Sequence, residues 1–247
     1  MSFNLSEIGL DAANLPSHLA VIMDGNGRWA QKRLLNRIKG HEKGSETVRM
    51  VVRTCREIGI RYLTLYAFST ENWNRPQKEI TALMALLKKF LAEERPEMVE
   101  NNIRLNAIGQ IERLPADVRD ALEASMAATA CNTGMCLSLG LSYGGRMEIV
   151  EAARKLAVQV KDQRLDAASI TPELFEKHLY TADMPHPELL IRTSGELRVS
   201  NFLLWQIAYS EIHVTPTLWP DLTREELIRI FQDYQRRERR FGRVAQT

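Results

Sequence analysis

The sequence predicts an α/β fold: a single domain whose mostly parallel central sheet of about six strands is flanked by helices, with an apolar channel beside the sheet. Three observations carry this prediction. Short apolar runs of strand length alternate with helical stretches, the pattern of a parallel sheet covered on both faces. The 247 residues show neither an internal repeat nor a break in composition. A chain of that length suits one core of this kind. Residues 1–15 are expected to form an N-terminal extension, and residues 223–247 a C-terminal helix and tail, of the same 1–247 domain.

The first strand is Leu19–Met23 (LAVIM), ending in a Gly-rich turn. A helix follows from about Ser45, with Val48, Val51, Val52, Cys55 and Ile58 at helical spacing and Gly59 as its stop. Tyr62–Ala67 is the second strand. Gln77–Asn101 is a long helix carrying Ile80, Leu83, Met84, Leu87 and Leu91, with a kink expected at Pro96. Ile103–Ile108 and Met135–Leu141 are the third and fourth strands, separated by a helix over Pro115–Ala130. A further helix covers Arg146–Val160, and the polar stretch Lys161–Ser169 is a loop. Thr171 opens a helix with Pro172 at its first position. Leu189–Ile191 and Ile212–Val214 are short strands. The last helix starts after Thr223 as N-cap, with Glu226 completing a capping box.

Composition excludes several classes. A net charge of +2 lacks the basic excess of a duplex-DNA binder, so no nucleic-acid partner is expected. Cys55, Cys131 and Cys136 lack metal-ligand spacing and read as buried free thiols in a reducing compartment. The N-terminus, with Glu7 and Asp11, lacks a signal-peptide pattern, and no apolar run approaches a membrane span. A cytoplasmic protein is expected, with peripheral contact at the inner face of a membrane.

Met23-Asp24-Gly25-Asn26-Gly27-Arg28-Trp29 sits at the carboxyl end of a strand, where open α/β sheets bind ligands. Gly25 and Gly27 let the backbone approach an anion, and Arg28 adds a planar fork of donors suited to phosphate oxygens. Residues 28–43 hold six basic side chains against one acid, Glu42; for Lys32 and Arg33 a solvated helix face is the simpler reading. This is neither a Walker loop nor a dinucleotide fingerprint. Asp24 beside a diphosphate would repel it without an intervening cation, and magnesium suits one or two carboxylates completed by water and phosphate oxygens.

The run from His18 through Met23-Asp24-Gly25-Asn26-Gly27-Arg28-Trp29-Ala30 closely resembles the signature of the cis-prenyltransferases, the undecaprenyl diphosphate synthase family. Four more blocks agree in order and spacing: Arg37-x-x-Gly40-His41-x-x-Gly44; Tyr66 to Pro76; Tyr143-Gly144-Gly145-Arg146; and Ile191-Arg192-Thr193-Ser194-Gly195-Glu196-x-Arg198-x-Ser200-Asn201-Phe202. Trp205 to Glu211 and Trp219-Pro220-Asp221 also match, so the similarity spans about residues 16–243.

The resemblance implies repeated condensation of isopentenyl diphosphate onto an allylic diphosphate such as farnesyl diphosphate, forming cis double bonds. The expected product is undecaprenyl diphosphate, a lipid-carrier precursor for cell-wall polysaccharide. It implies that Gly25, Asn26, Gly27, Arg28, Trp29, Arg37 and His41 hold the allylic substrate. Ser69, Thr70, Glu71, Trp73 and Arg75 would border the substrates from a strand-end loop, with Trp73 as a wall. Arg192, Arg198, Val199 and Ser200 would hold isopentenyl diphosphate. Asp24 and Glu211 would share Mg2+, and Asn72, near Ser69, would accept or relay a proton. A homodimer is implied too, the C-terminal Arg239-Arg240-Phe241-Gly242-Arg243 reaching a neighbouring subunit's site. Two places depart from the family pattern: His186-Pro187-Glu188 before the fifth strand, and His213-Val214 after Glu211, where aromatics are common. They put the packing beside the magnesium site in question, and His213 would add pH sensitivity.

Rival readings have residues behind them. Gly140-Leu141-Ser142-Tyr143-Gly144 fits the nucleophile elbow G-x-S-x-G of hydrolases. It leaves the Asp24 loop and the arginines idle. A trans-type prenyl synthase is all-helical and uses paired aspartates, and the chain has no Asp-Asp pair. A non-catalytic subunit is disfavoured because Asp24, Arg28, Asn72 and Glu211 are all present. The channel is expected along Ile80, Leu83, Met84, Leu87 and Leu91, largely free of aromatics and closed by Met135 and Leu137.

Overall fold

The computed structural model describes residues 4–237; the C-terminal Arg239–Arg243 segment lies outside them. Six strands form one sheet: β1 (His18–Ile22), β2 (Tyr62–Ser69), β3 (Arg104–Ile108), β4 (Cys136–Tyr143), β5 (Leu189–Arg192) and β6 (Glu211–Val214). Their order is β3-β4-β2-β1-β5-β6 and every pair is parallel. Among the described residues seven α-helices accompany them: α1 (Asn26–Lys32), α2 (Arg37–Ile58), α3 (Gln77–Glu100), α4 (Ala116–Ala128), α5 (Gly145–Lys161), α6 (Pro172–Glu176) and α7 (Arg224–Gln235).

Strand periodicity divides the core. Leu19, Val21, Leu189 and Ile191 point into a large cluster with residues of α2, α3, α4 and α7. Ala20, Ile22 and Leu190 point to the other face, against Tyr143, Phe202 and Leu203. β1 lies between β2 and β5, so the chain order turns there, and ligands of open α/β sheets bind outside the strands' carboxyl ends at such a point.

Several elements differ from the sequence expectation for identifiable reasons. Helix α2 starts at Arg37, with Asn36 Oδ1 accepting from Lys39 N at 3.1 Å, rather than near Ser45. Gly40 and Gly44 lie inside it because Asn26 packs against them: a Cβ on Gly40 would fall 2.0 Å from Asn26 O, and one on Gly44 2.3 Å from Asn26 Oδ1. Helix α3, by contrast, keeps its expected extent, Gln77–Glu100, with Pro96 inside it. Half of the α7 capping box forms: Thr223 accepts from Glu226 N, while the Glu226 carboxylate accepts from Thr215 Oγ1 at 2.6 Å. The expected buried thiols hold for Cys55 and Cys136 but not for Cys131, which is exposed, and burial pushes the Cys55 thiol pKa up, as for an inert core thiol. Among the described residues, no helix is long and apolar enough to cross a membrane.

An apolar cavity opens between α2, α3 and the sheet. Val48, Leu83, Leu86, Leu87 and Phe90 line it from the helices, Leu65, Ala67 and Leu139 from the strands, and Met23, His41 and Trp219 close to its entrance loop. Leu83 and Leu87 are where the sequence places them. Ile80, Met84 and Leu91 instead pack into the core, and Met135, just before β4, and Leu137 within it do so too without lining the cavity. Phe90 puts an aromatic ring where none was expected.

His18 at the start of β1 is 1% exposed. Its Nδ1–H donates to Pro185 O at 2.6 Å, and Nε2 accepts from Thr64 Oγ1 at 2.8 Å. Burial is the main cause that lowers its pKa to about 4. A base whose pKa falls on folding contributes its full stability above the unfolded value of about 6.5 and loses it as the pH drops towards 4. The His18 share of the stability lost between pH 7 and pH 5 in denaturant unfolding should therefore be about 2 kcal/mol. A His18→Gln variant should lose that share of the pH dependence and keep the share of His41, the other buried histidine with a pKa lowered to about 4.

Candidate active site

Three loops converge beyond the carboxyl ends of β1, β2 and β5. The first carries Asp24. Its main chain is fixed by Thr193, whose hydroxyl accepts from Asp24 N at 3.0 Å and donates to Asp24 O at 2.6 Å, and by Trp219 N, which donates to Asp24 O. Gly25, at φ 112°, turns the chain into α1, a conformation that side-chain-bearing residues rarely adopt. The first N–H groups of α1 have no intrahelical partner and face a ligand's oxygens readily.

Asp24 Oδ2 accepts from Arg192 Nη2 at 2.8 Å and Arg28 Nη2 at 3.2 Å. Burial raises the Asp24 pKa, but hydrogen bonds from Arg192 and Ser194 and the charges of Arg192 and Arg28 outweigh it, so the carboxyl is held below its usual range. Arg192 is 4% exposed. Its Nη1 donates to Ser200 Oγ at 2.7 Å and Arg198 O at 2.5 Å, which shapes the β5 loop around the guanidinium. Its Nε is buried with no partner. Glu196 accepts from Arg28 at 3.1 Å and Arg198 at 2.5 Å. Asp24, Arg192, Arg198, Ser200, Ser69, Glu71, Asn72 and Arg75 line one polar cleft. Met23 borders both this cleft and the apolar cavity.

The β2 loop is tied down residue by residue. Asn72 Oδ1 accepts from Ser69 N at 3.1 Å, so its oxygen caps the loop and is not a free base. Glu71 accepts from Asn201 Nδ2 at 2.8 Å, and Asn201 Oδ1 accepts from Arg146 N. Thr70 packs against Gly144, where a Cβ would stand 2.6 Å from its hydroxyl. Trp73 Nε1 donates to Ser142 Oγ at 2.9 Å, with Arg113 lying over the indole. Ser142 is fully buried at φ 46°. Its hydroxyl serves as an acceptor for Trp73, which removes the hydrolase reading of G-x-S-x-G.

Glu79 was not singled out by the sequence. It is 9% exposed and accepts from Arg75 Nη1 at 3.0 Å; Arg37 and His41 each stand 3.6 Å away. Burial, then the Arg75 charge, lower the His41 pKa to about 4, so the ring is neutral at pH 7. Glu148 was missed too. It is 1% exposed and accepts from Tyr143 OH at 2.5 Å, Tyr180 N at 2.9 Å and Gln206 Nε2 at 3.1 Å, joining α5 to the segment that follows Ser200. Burial raises its pKa. Trp29 stands at the rim, donating to Asp221 at 2.6 Å with Arg33 over its ring. Val199 packs beside Phe202 and Leu203.

Glu211 is not beside Asp24 in the chain. Register pairs Leu19 with Leu189 and Leu189 with Glu211, so Glu211 lies at the opening end of its strand, five residues back from the level of Asp24. At about 3.3 Å per residue this is roughly 16 Å along the sheet, plus two strand spacings across it. Glu211 accepts from Arg237 at 2.9 Å. His213 stands 3.7 Å from Asp233 and His186 3.4 Å from Glu176, both away from the cleft. Among the described residues no group of three or more His, Cys, Asp and Glu side chains stands together for a metal.

A cleft of arginines at a switch point, joined to an apolar cavity, defines a protein for ligands with a diphosphate head and a hydrocarbon tail. The family model described as putative undecaprenyl diphosphate synthase matches residues 22–242. The chain is 54% identical over 237 residues to an isoprenyl transferase of Geobacter sulfurreducens, covering 96% of each, and 51% identical to one of Heliobacterium mobile, covering 95% of this chain and 90% of that one. Among solved structures it is similar to lavandulyl diphosphate synthase of Lavandula x intermedia, in complex with dimethylallyl diphosphate, at TM-score 0.91 and 37% identity over 93% of this chain and 99% of that one. A probable undecaprenyl diphosphate synthase of Campylobacter jejuni gives TM-score 0.76 and 36% identity over 92% and 99%. The chain belongs to the undecaprenyl diphosphate synthase family, and its class is cis-prenyltransferase.

The Trp73–Ser142 bond fixes the loop that bears Asn72 and Arg75. Ser142→Ala should raise the apparent Michaelis constant for the allylic substrate about fivefold, the scale of one neutral buried hydrogen bond. Trp73→Phe removes the same bond from the donor side, so it should raise the constant at least as much. Steady-state kinetics of both variants checks this.

Proposed function

We propose that the protein condenses isopentenyl diphosphate repeatedly onto an allylic diphosphate, farnesyl diphosphate as starter, giving a long cis-polyprenyl diphosphate of undecaprenyl length that serves as a lipid-carrier precursor. The observation that carries this reading is Arg192: a buried guanidinium with an unpaired Nε at the floor of a cleft that shares Met23 with an apolar cavity. An anion in the cleft meets Arg192, Arg198 and Ser200, which line it, and a tail in the cavity leaves water at about 0.8 kcal/mol per CH₂.

In this reading, Arg28, Arg37, His41 and the α1 amides hold the allylic diphosphate, with its tail along Val48, Leu83, Leu87 and Phe90. Arg192, Arg198 and Ser200 hold isopentenyl diphosphate, and Trp73 and Arg75 cover both. Asp24 fits magnesium, because a single ionised carboxylate completed by phosphate oxygens and water is the cation's usual protein site. When bound, that ion stabilises charge on the departing diphosphate. The arginines supply the same stabilisation from fixed positions. Asn72 positions the loop, and the released diphosphate is the better proton acceptor. A contribution of Glu211 to the same metal requires a second copy of the chain, in keeping with a homodimer.

Incubating the protein with farnesyl and isopentenyl diphosphates and magnesium should give long-chain product, and chelator should abolish it. Asp24→Ala should lower turnover at least about a hundredfold. Arg192→Ala should mainly raise the Michaelis constant for isopentenyl diphosphate and Arg37→Ala that for the allylic substrate, each by about ten- to a hundredfold. Equal effects of both arginines on both substrates would refute the division.

Product length should follow the cavity wall. Leu83→Trp narrows the cavity near its middle and should shorten the products, whereas Phe90→Ala should lengthen them. Chromatography against polyprenol standards reads both.

A further inference from the structure

We propose that the turn between α1 and α2 docks onto an anionic lipid surface. Leu34 stands at its tip, 97% exposed, and Leu35 beside it is 45% exposed. Leu34 also takes φ 56°, a left-handed conformation that Asn or Gly adopts at lower cost. The fold thus holds an apolar side chain in water, in a strained conformation, with no packing in return. An outlier of this kind points to a role outside the fold.

The charge around the tip fits the same partner. Residues 31–39 carry Lys32, Arg33, Arg37 and Lys39 and no acid, and these four cations are exposed. Carboxylates from farther along the chain hold some of them: Asp221 stands 3.2 Å from Arg33, Glu42 2.7 Å from Lys39 and Glu79 3.6 Å from Arg37. Each of those three cations keeps a solvent-facing side, and Lys32 has no ion pair among the described residues. Two leucines flanked by cations can enter the headgroup region while Lys32, Arg33 and Lys39 meet lipid phosphates, with Arg37 turned toward Glu79 and the Asp24 loop. This binding is weak and reversible, unlike a membrane span.

Position gives the turn a use. Helix α2 leads from it to His41, Ser45 and Val48, which line the apolar cavity. Eight residues of α2 separate Arg37 from Ser45, about 12 Å of helical rise. A bilayer at the turn therefore lies beside the compartment proposed to hold the growing hydrocarbon. The inference deepens the proposed function by naming the surface that receives the lipid product. Its test uses no substrate, so its failure and that of the transferase reading are distinguishable.

The test is co-sedimentation of the full chain with vesicles of phosphatidylcholine, alone or mixed with phosphatidylglycerol. The wild type should bind the mixed vesicles, bind pure phosphatidylcholine far less, and release in high salt. Leu34→Asp with Leu35→Asp should lower the partition at least about tenfold. Lys32→Glu should lower it by about fivefold or more. Wild-type protein that ignores anionic vesicles, or leucine variants that bind as wild type does, would overturn the proposal. A change in oligomeric state of the double variant with vesicle binding intact would assign the tip to a second copy of the chain, and would overturn it too.

Discussion

The bond between Asp24 and Arg192 joins the ends of β1 and β5 at the point where the sheet's connectivity turns, and the rest of the site is arranged around it. Five guanidiniums meet there: Arg28, Arg37, Arg75, Arg192 and Arg198. So many cations in one region repel one another, and the buried Arg192 loses hydration as well. Three carboxylates compensate. Asp24 holds Arg28 and Arg192, Glu196 holds Arg28 and Arg198, and Glu79 holds Arg75 with Arg37 close by. The arginines are thereby preorganised before a diphosphate arrives. That placement is what makes electrostatic stabilisation effective, since little reorganisation remains for the moment of reaction.

The second constraint is the division between polar cleft and apolar cavity. Both begin at Met23, one residue before Asp24, so a head group and a tail are separated over the length of one side chain. The division follows from helix spacing. Asn26 packs on Gly40 and Gly44, which brings α2 against the diphosphate loop, while Val48, one turn further, lines the cavity. A side chain at either glycine would push the loop off the helix and open the seam between the two compartments.

Much of this was legible in the sequence, because phosphate chemistry constrains residue types locally. Glycines for close approach and arginines for oxygen forks must stand at fixed intervals, and β1, β2 and β4 appear as apolar runs to within two residues. What was not legible depends on three-dimensional convergence. Glu79 reads as an ordinary acid in the first turn of a helix, where it complements the dipole, and only the fold brings Arg37, His41 and Arg75 to it. The start of α2 was hidden because its glycines serve a neighbour rather than the helix. Glu211 seemed to belong with Asp24 because both lie in matching blocks. Parallel register, which no local pattern encodes, sets them at opposite ends of their strands. Likewise Phe90 and Met84 share a helix, and only the helix's rotation against the sheet decides which of them meets the cavity.

Burial at this site also fixes which groups titrate. The two forces on His41 oppose each other: desolvation and the Arg75 charge favour the neutral ring, and Glu79 favours the charged one. The first pair wins, so His41 adds no charge at neutral pH and meets a ligand as a neutral hydrogen-bonding group. Asp24 is held ionised by hydrogen bonds from Arg192 and Ser194 and by the charges of Arg192 and Arg28, the arginines proposed to face the substrates. At pH 7 an anion entering the cleft therefore meets Asp24, Glu71 and Glu196 ionised and His41 neutral.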